Sequence, residues 1–161
     1  MKKALAVIVF LFAISSLYSQ EIKAVKTVED LKDIQSTTKG KVVLYNFWAT
    51  WCKPCVVEFP ELVKLYKNYK DKNFVIVFVS MDMPEDMKDK VTPFLEKQGV
   101  DFITYYNDFR NPEQLIDFYD KKWEGAIPST YIYDKEGKLS SKFIGNRDYD
   151  FFEKEISKLL N

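Results

Sequence analysis

Apolar positions along the chain change period several times, and each change predicts an element. Lys41-Val42-Val43-Leu44-Tyr45-Asn46-Phe47 is dense in β-formers and reads as a strand. From Cys52 to Tyr69 the apolar residues Phe59, Leu62, Val63, Tyr66 and Tyr69 recur every three or four positions, the pattern of one amphipathic helix. Pro60 lies inside that helix, lacks a backbone donor and predicts a kink. Asn73 to Ser80 is almost continuously apolar, as expected of a central strand covered on both faces. After a turn over residues 82–85, Glu85 to Gln98 reads as a helix interrupted near Pro93 and closed by Gly99. Phe102 to Tyr106 is a third strand. Asn111 as cap and Pro112 in the first turn open a helix predicted to reach about Trp123.

Tyr131 to Tyr133 and Lys138 to Ile144 form a hairpin around Asp134-Lys135-Glu136-Gly137. Asp148 to Leu160 is a closing helix with Phe151, Phe152, Ile156, Leu159 and Leu160 on its buried side. Upstream, Glu21 to Lys39 is polar and charged. It holds one short predicted helix at Thr27 to Asp33, with Thr27 as cap and Asp30 completing a weak capping box. Counted from the Val42 strand, the order β-α-β-α-β-α-β-β-α predicts an α/β fold, a mixed sheet flanked by helices. No repeat, low-complexity tract or linker divides it, so residues 20–161 read as one domain.

Residues 1–19 read differently, as an export signal. Lys2 and Lys3 precede an uncharged apolar run from Ala4 to Ile14, and Ser15 to Ser19 ends it with small polar residues. Cleavage is expected between Ser19 and Gln20. An uncleaved membrane anchor is the alternative, although Ala4 to Leu17 is short against the roughly 20 residues of a span. No cysteine follows the apolar run, which excludes a lipid anchor through an N-terminal cysteine. An exported, extracytoplasmic protein is expected, in a setting where disulfides persist.

Composition narrows the chemistry. The 161 residues carry 24 basic and 24 acidic side chains, so no broad footprint for nucleic acid is present. Histidine is absent, which removes histidine triads, histidine general bases and histidine metal ligands. Two cysteines cannot complete a structural zinc site, and neither a metal nor a cofactor is expected. Those two are Cys52 and Cys55, two residues apart where a predicted strand gives way to a predicted helix. At a helix start the free N–H groups and the helix dipole stabilise a thiolate on the first sulfur. A CxxC so placed is the signature of a redox-active dithiol. The other reading is a binding module with a purely structural bridge, but so small a ring contributes little as a staple.

The run Asn46-Phe47-Trp48-Ala49-Thr50-Trp51-Cys52-Lys53-Pro54-Cys55, continued by Glu58-Phe59-Pro60-Glu61-Leu62, resembles the TlpA/ResA-like thiol–disulfide oxidoreductases of the thioredoxin superfamily. Gly125-Ala126-Ile127-Pro128-Ser129-Thr130 before the hairpin strengthens the resemblance, as does the extra strand–helix portion from Glu85 to Tyr119. It implies a thioredoxin-like fold with a strand–helix insertion. It implies Cys52 as the exposed nucleophile and Cys55 as the buried resolving thiol, and Pro128 as a cis-proline lying against the disulfide. Ile127 would face the partner. Trp51 would belong to an apolar collar around the site, beside Trp48, and Lys53 and Pro54 would lie between the two sulfurs, with Lys53 favouring the Cys52 thiolate. Plain thioredoxins have an aspartate where Asn46 stands, and Asn46 cannot titrate. Glu58, one helical turn after Cys55, matches a buried glutamate of the ResA-like branch and is expected to have a raised pKa and to exchange protons with the dithiol.

The resemblance further implies protein thiols and disulfides of exported proteins as partners, cytochrome c maturation among the settings, and a membrane dithiol as electron donor. Direction stays open between a reductant and an oxidase or isomerase. No second domain for dimerisation is visible, which weighs against an isomerase, and a monomer is expected. A peroxidase of the peroxiredoxin type would want a threonine and a proline before a lone peroxidatic cysteine, and that pattern is missing.

Overall fold

The computed structural model describes residues 20–160, and the expected export signal over residues 1–19 lies outside them. Six strands form one sheet in the order β1-β4-β3-β2-β5-β6: β1 Ile22–Val25, β2 Val42–Trp48, β3 Phe74–Ser80, β4 Thr104–Asn107, β5 Ser129–Tyr133 and β6 Leu139–Ile144. The first four pair in parallel, β5 runs antiparallel to β2, and β6 antiparallel to β5. Five α-helices flank the sheet: α1 Val28–Thr37, α2 Lys53–Tyr69, α3 Thr92–Gln98, α4 Glu113–Tyr119 and α5 Tyr149–Leu160. The mixed α/β architecture expected from the pattern is therefore present.

β2 organises both faces. Side chains alternate across a strand, so Val42, Leu44, Asn46 and Trp48 point one way and Val43, Tyr45 and Phe47 the other. The first set joins Phe59, Leu62, Phe78, Phe152 and Ile156 in a core beneath α2 and α5. The second set packs with Leu31, Leu115, Tyr119, Trp123 and Tyr131 beneath α1 and α4. All seven residues of β2 are buried, the price of a central strand being that it has no solvent face. Tyr119 and Trp123 belong to this second core, their rings 4.9 and 4.7 Å from that of Phe47.

Several elements depart from the sequence expectation. β1 was not expected, because its four residues sit in a charged stretch and form only an edge strand paired with β4. α1 is capped as expected, Thr27 Oγ1 accepting from Asp30 N at 3.2 Å and Asp30 Oδ2 from Thr27 N at 2.9 Å, but runs on to Thr37. The helix expected from Glu85 begins instead as a π-helical turn, Met87–Val91, in which Thr92 N–H reaches the Met87 carbonyl. Pro93 then sits in the first turn of α3, where a missing donor costs least. α4 stops at Tyr119 rather than near Trp123, since Asp120 takes an extended conformation. Trp123 is fixed instead by its indole N–H, which donates to the Ala126 carbonyl at 2.8 Å.

Candidate active site

β2 and β3 end side by side, Trp48 opposite Ser80, and Met81 N–H donates to the Trp48 carbonyl at 2.7 Å. Beyond Trp48 the chain turns sharply, with Cys52 N–H donating to the Ala49 carbonyl at 3.2 Å. Cys52 is the N-cap of α2, and its Sγ accepts from Cys55 N at 3.3 Å. Pro54 occupies the first turn, where helices tolerate proline. Cys52 and Cys55 are joined in a disulfide with their Cα atoms 5.2 Å apart. No acidic residue stands in the first turn of α2, so nothing there opposes the favourable effect of the helix terminus on a thiolate.

Cys52 is the more accessible of the pair, 6% exposed against 1% for Cys55, but it is buried rather than exposed as expected. In this oxidised form its sulfur is bonded to Cys55, and both residues pack within the same core as Trp48, Ala49 and Phe59. The neighbours carry the exposure instead. Trp51 is 67% exposed, and Lys53 and Pro54 also face solvent.

Glu58 is 2% exposed, on the turn of α2 after Cys55. Its Oε1 accepts from Asn46 Nδ2 at 3.0 Å and its Oε2 from the Arg147 backbone N–H at 2.8 Å. Asn46 Nδ2 also donates to Thr130 Oγ1 at 3.0 Å. The register explains the cluster, because Asn46 and Thr130 are cross-strand partners and share the face that α2 covers. Burial pushes the Glu58 carboxyl up to about 7, against the lowering effect of the Arg147 and Asn46 donors and the Arg147 charge. A cluster of this kind is not written in the helix alone. The period-2 pattern of β2 does place Asn46 under α2, but the Arg147 donor belongs to the backbone and leaves no signal in a side-chain pattern.

The Ile127–Pro128 peptide bond is cis, as the resemblance implied. Antiparallel pairing with β2 sets Ser129 opposite Phe47, which brings the Pro128 loop to the end of the sheet that carries the CxxC. Gly145 N–H donates to the Pro128 carbonyl at 2.8 Å, tying this loop to the segment that also supplies Arg147. Pro128 is buried and Ile127 half-buried, the latter touching both cores. The sheet end thus gathers Trp51, Cys52, Lys53, Pro54, Cys55 and Glu58 from α2 and its approach, and Ile127 and Pro128 from the approach to β5.

Residues 20–142 match the AhpC/TSA family. The chain belongs to that family. The thiol–disulfide oxidoreductase ResA of Bacillus thuringiensis (strain Al Hakam) is 32% identical over 130 residues, covering 81% of this chain and 68% of the relative. ResA of Bacillus subtilis (strain 168) is 36% identical over 104 residues, 65% of this chain and 53% of that relative. The crystal structure of a thiol:disulfide interchange protein of the thioredoxin family from Chlorobium tepidum TLS aligns with a TM-score of 0.66 at 25% identity, over 79% of this chain and 85% of that one. The protein is a ResA/TlpA-like thiol–disulfide oxidoreductase with a thioredoxin-like fold, as the resemblance implied. Among the described residues, no helix of this oxidoreductase is long and apolar enough to cross a membrane.

Proposed function

We propose that this oxidoreductase is exported and reduces disulfides in other exported proteins, with Cys52 attacking and Cys55 resolving. The observation that carries the reading is the Cys52–Cys55 pair at the start of α2 with the buried Glu58 one turn further along. The Cys52 thiolate attacks one sulfur of the partner disulfide. A Cys52–partner S–S bond forms as the partner bond breaks, and the released sulfur leaves with the electron pair and takes a proton. Cys55 then gives up its proton and attacks Cys52 Sγ. The Cys52–Cys55 bond forms, the partner's second thiol departs, and two electrons have passed to the partner. An outside dithiol, for which a membrane donor is the natural source, returns the pair to its reduced form.

Glu58 suits the proton traffic because its pKa of about 7 lets it hold or release a proton near neutrality. Lys53 adds positive charge beside Cys52. Trp51, Pro54, Ile127 and Pro128 make the rim against which a partner segment rests. The two sulfurs carry both electrons, so the cycle calls for no cofactor, and the reading is of a monomer.

An equilibrium redox titration of the purified protein, read by thiol alkylation and mass, tests this. A reversible two-electron transition at or below about −250 mV supports a reductant, whereas about −120 mV indicates an oxidase. A pair that exchanges with no dithiol would return Cys52–Cys55 to a structural bridge.

A further inference from the structure

The turn that delivers Cys52 is held from its side by an acid that the exchange cycle does not use. Asp82 lies two residues beyond β3 and is 2% exposed, one of two buried carboxylates among the described residues, Glu58 being the other. Its Oδ2 accepts from Thr50 N at 2.9 Å and from Ser80 Oγ at 2.7 Å, and its Oδ1 accepts from Thr50 Oγ1 at 2.5 Å. Ser80 Oγ accepts in return from Asp82 N at 3.0 Å. Burying a carboxylate is unfavourable unless several donors compensate, and here three of them converge on it. Two of the three come from Thr50. The backbone and the side chain of one residue are therefore fixed together, two positions before Cys52.

Ala49 and Cys52 pack in the core at either end of that turn, but Thr50 and Trp51 between them have few other restraints. Trp51, 67% exposed, supplies little packing, and Met83, 60% exposed, follows Asp82 in the same way. Cys52 N–H bonds Ala49 at 3.2 Å, and Cys52 Sγ caps the helix. In the oxidised protein the disulfide adds a covalent restraint. Reduction removes it at the moment when Cys52 must approach a partner, and the Asp82–Thr50 clasp stays.

We propose that Asp82 is a positioning residue for Cys52, acting through Thr50 to hold the turn from which the reduced sulfur attacks. The proposal rests on the reading of Cys52 as the attacking thiol. It also assigns Thr50 the coupling role, since a hydroxyl and an N–H on one residue constrain both its position and its rotation.

The test uses the full chain, reduced, and the second-order rate with 5,5′-dithiobis(2-nitrobenzoate). In that reaction Cys52 thiolate forms a mixed disulfide and thionitrobenzoate leaves with the electron pair. Asp82→Asn points an amide N–H at groups that themselves donate, and is expected to slow the reaction about ten-fold. Thr50→Val removes one donor and keeps the backbone bond, and is expected to slow it several-fold. Thr50→Ser keeps both donors and should react as wild type. The double variant D82N/T50V should be no slower than D82N alone, because both act on one contact. Rates at or above wild type in D82N and T50V, with only the unfolding midpoint lowered, would overturn the proposal and leave Asp82 a purely structural residue. If D82N does not fold, T50V decides by the same criterion. A wild-type rate that Cys52→Ser leaves unchanged would instead sink the reading of Cys52, and the positioning role with it.

Discussion

Asn46 donates its side-chain amide to Glu58 at 3.0 Å, across the gap between the central strand and the helix that carries the cysteines. An amide does not titrate, so Glu58 is the one member of the pair whose charge changes with pH. That separates this site from an arrangement in which two acids would share a proton. The donor holds the carboxylate in place, while burial opposes its charge and wins by a wide margin.

Stability should report this directly. The Glu58 pKa is about 7 in the folded protein against an ordinary 4.5. An acid whose folded pKa is raised binds its proton more tightly folded than unfolded. Its contribution is therefore fully present below pH 4.5 and is lost as pH rises through about 7. Urea unfolding of the oxidised protein at pH 5 and pH 8 should show a decline on the order of 3 kcal/mol from this group. Glu58→Gln has no proton to lose and should flatten that part of the profile. An undiminished decline in the variant would place its source elsewhere.

Asn46→Asp should make the site more sensitive to pH. It replaces the donor to Glu58 and Thr130 with a second buried carboxyl. The two acids would then share a proton, one apparent pKa falling and the other rising above that of Glu58 alone. Melting temperatures are expected to fall further below wild type at pH 8 than at pH 5. A gap independent of pH would show that only the lost hydrogen bonds matter.

Removing the resolving thiol should trap the intermediate. Cys55→Ser, mixed with a protein disulfide, is expected to accumulate a mixed disulfide at Cys52 that persists on a non-reducing gel. Cys52→Ser should accumulate none, because Cys55 is 1% exposed. Peptide mass mapping of the adduct distinguishes the two. A stable adduct on Cys55 would reverse the assignment of roles.

The two tryptophans beside the site should separate stability from recognition. Trp48 is buried, its ring 4.5 Å from Phe59 and 5.0 Å from Phe94, and Trp48→Ala should cost about 3–5 kcal/mol. Trp51→Ala removes an exposed ring and should change stability by no more than about 0.5 kcal/mol. Its effect is expected in KM for a protein disulfide, with the rate towards a small disulfide unchanged. Denaturant titration and steady-state kinetics on both variants give the comparison.

Much of this molecule is legible in its residue pattern, for identifiable reasons. β2, α2 and β3 are long and carry unbroken or cleanly periodic apolar positions, so the strand–helix junction that holds the cysteines is marked on both sides. β1 is hidden because an edge strand of four residues needs only one fully buried side chain, Val25. The end of α4 is hidden because Asp120 leaves the helix for reasons of backbone conformation rather than polarity. The Glu58 position follows from helical spacing, but its partners do not: one comes from the facing strand and the other from a main-chain group 89 positions away. Asp82 looks like any turn acid, and only the fold reveals that it is buried against Thr50.

The two donors to Glu58 differ in how they can be inherited. Asn46 contributes through its side chain, so a single codon change removes or inverts that contact. Arg147 contributes through its main chain, and every residue except proline carries the same N–H. Drift at position 147 can alter the neighbouring charge while leaving that hydrogen bond intact. Descendants of this sequence therefore have one coarse adjustment of the acid's set point, at position 46, and one fine adjustment, at position 147.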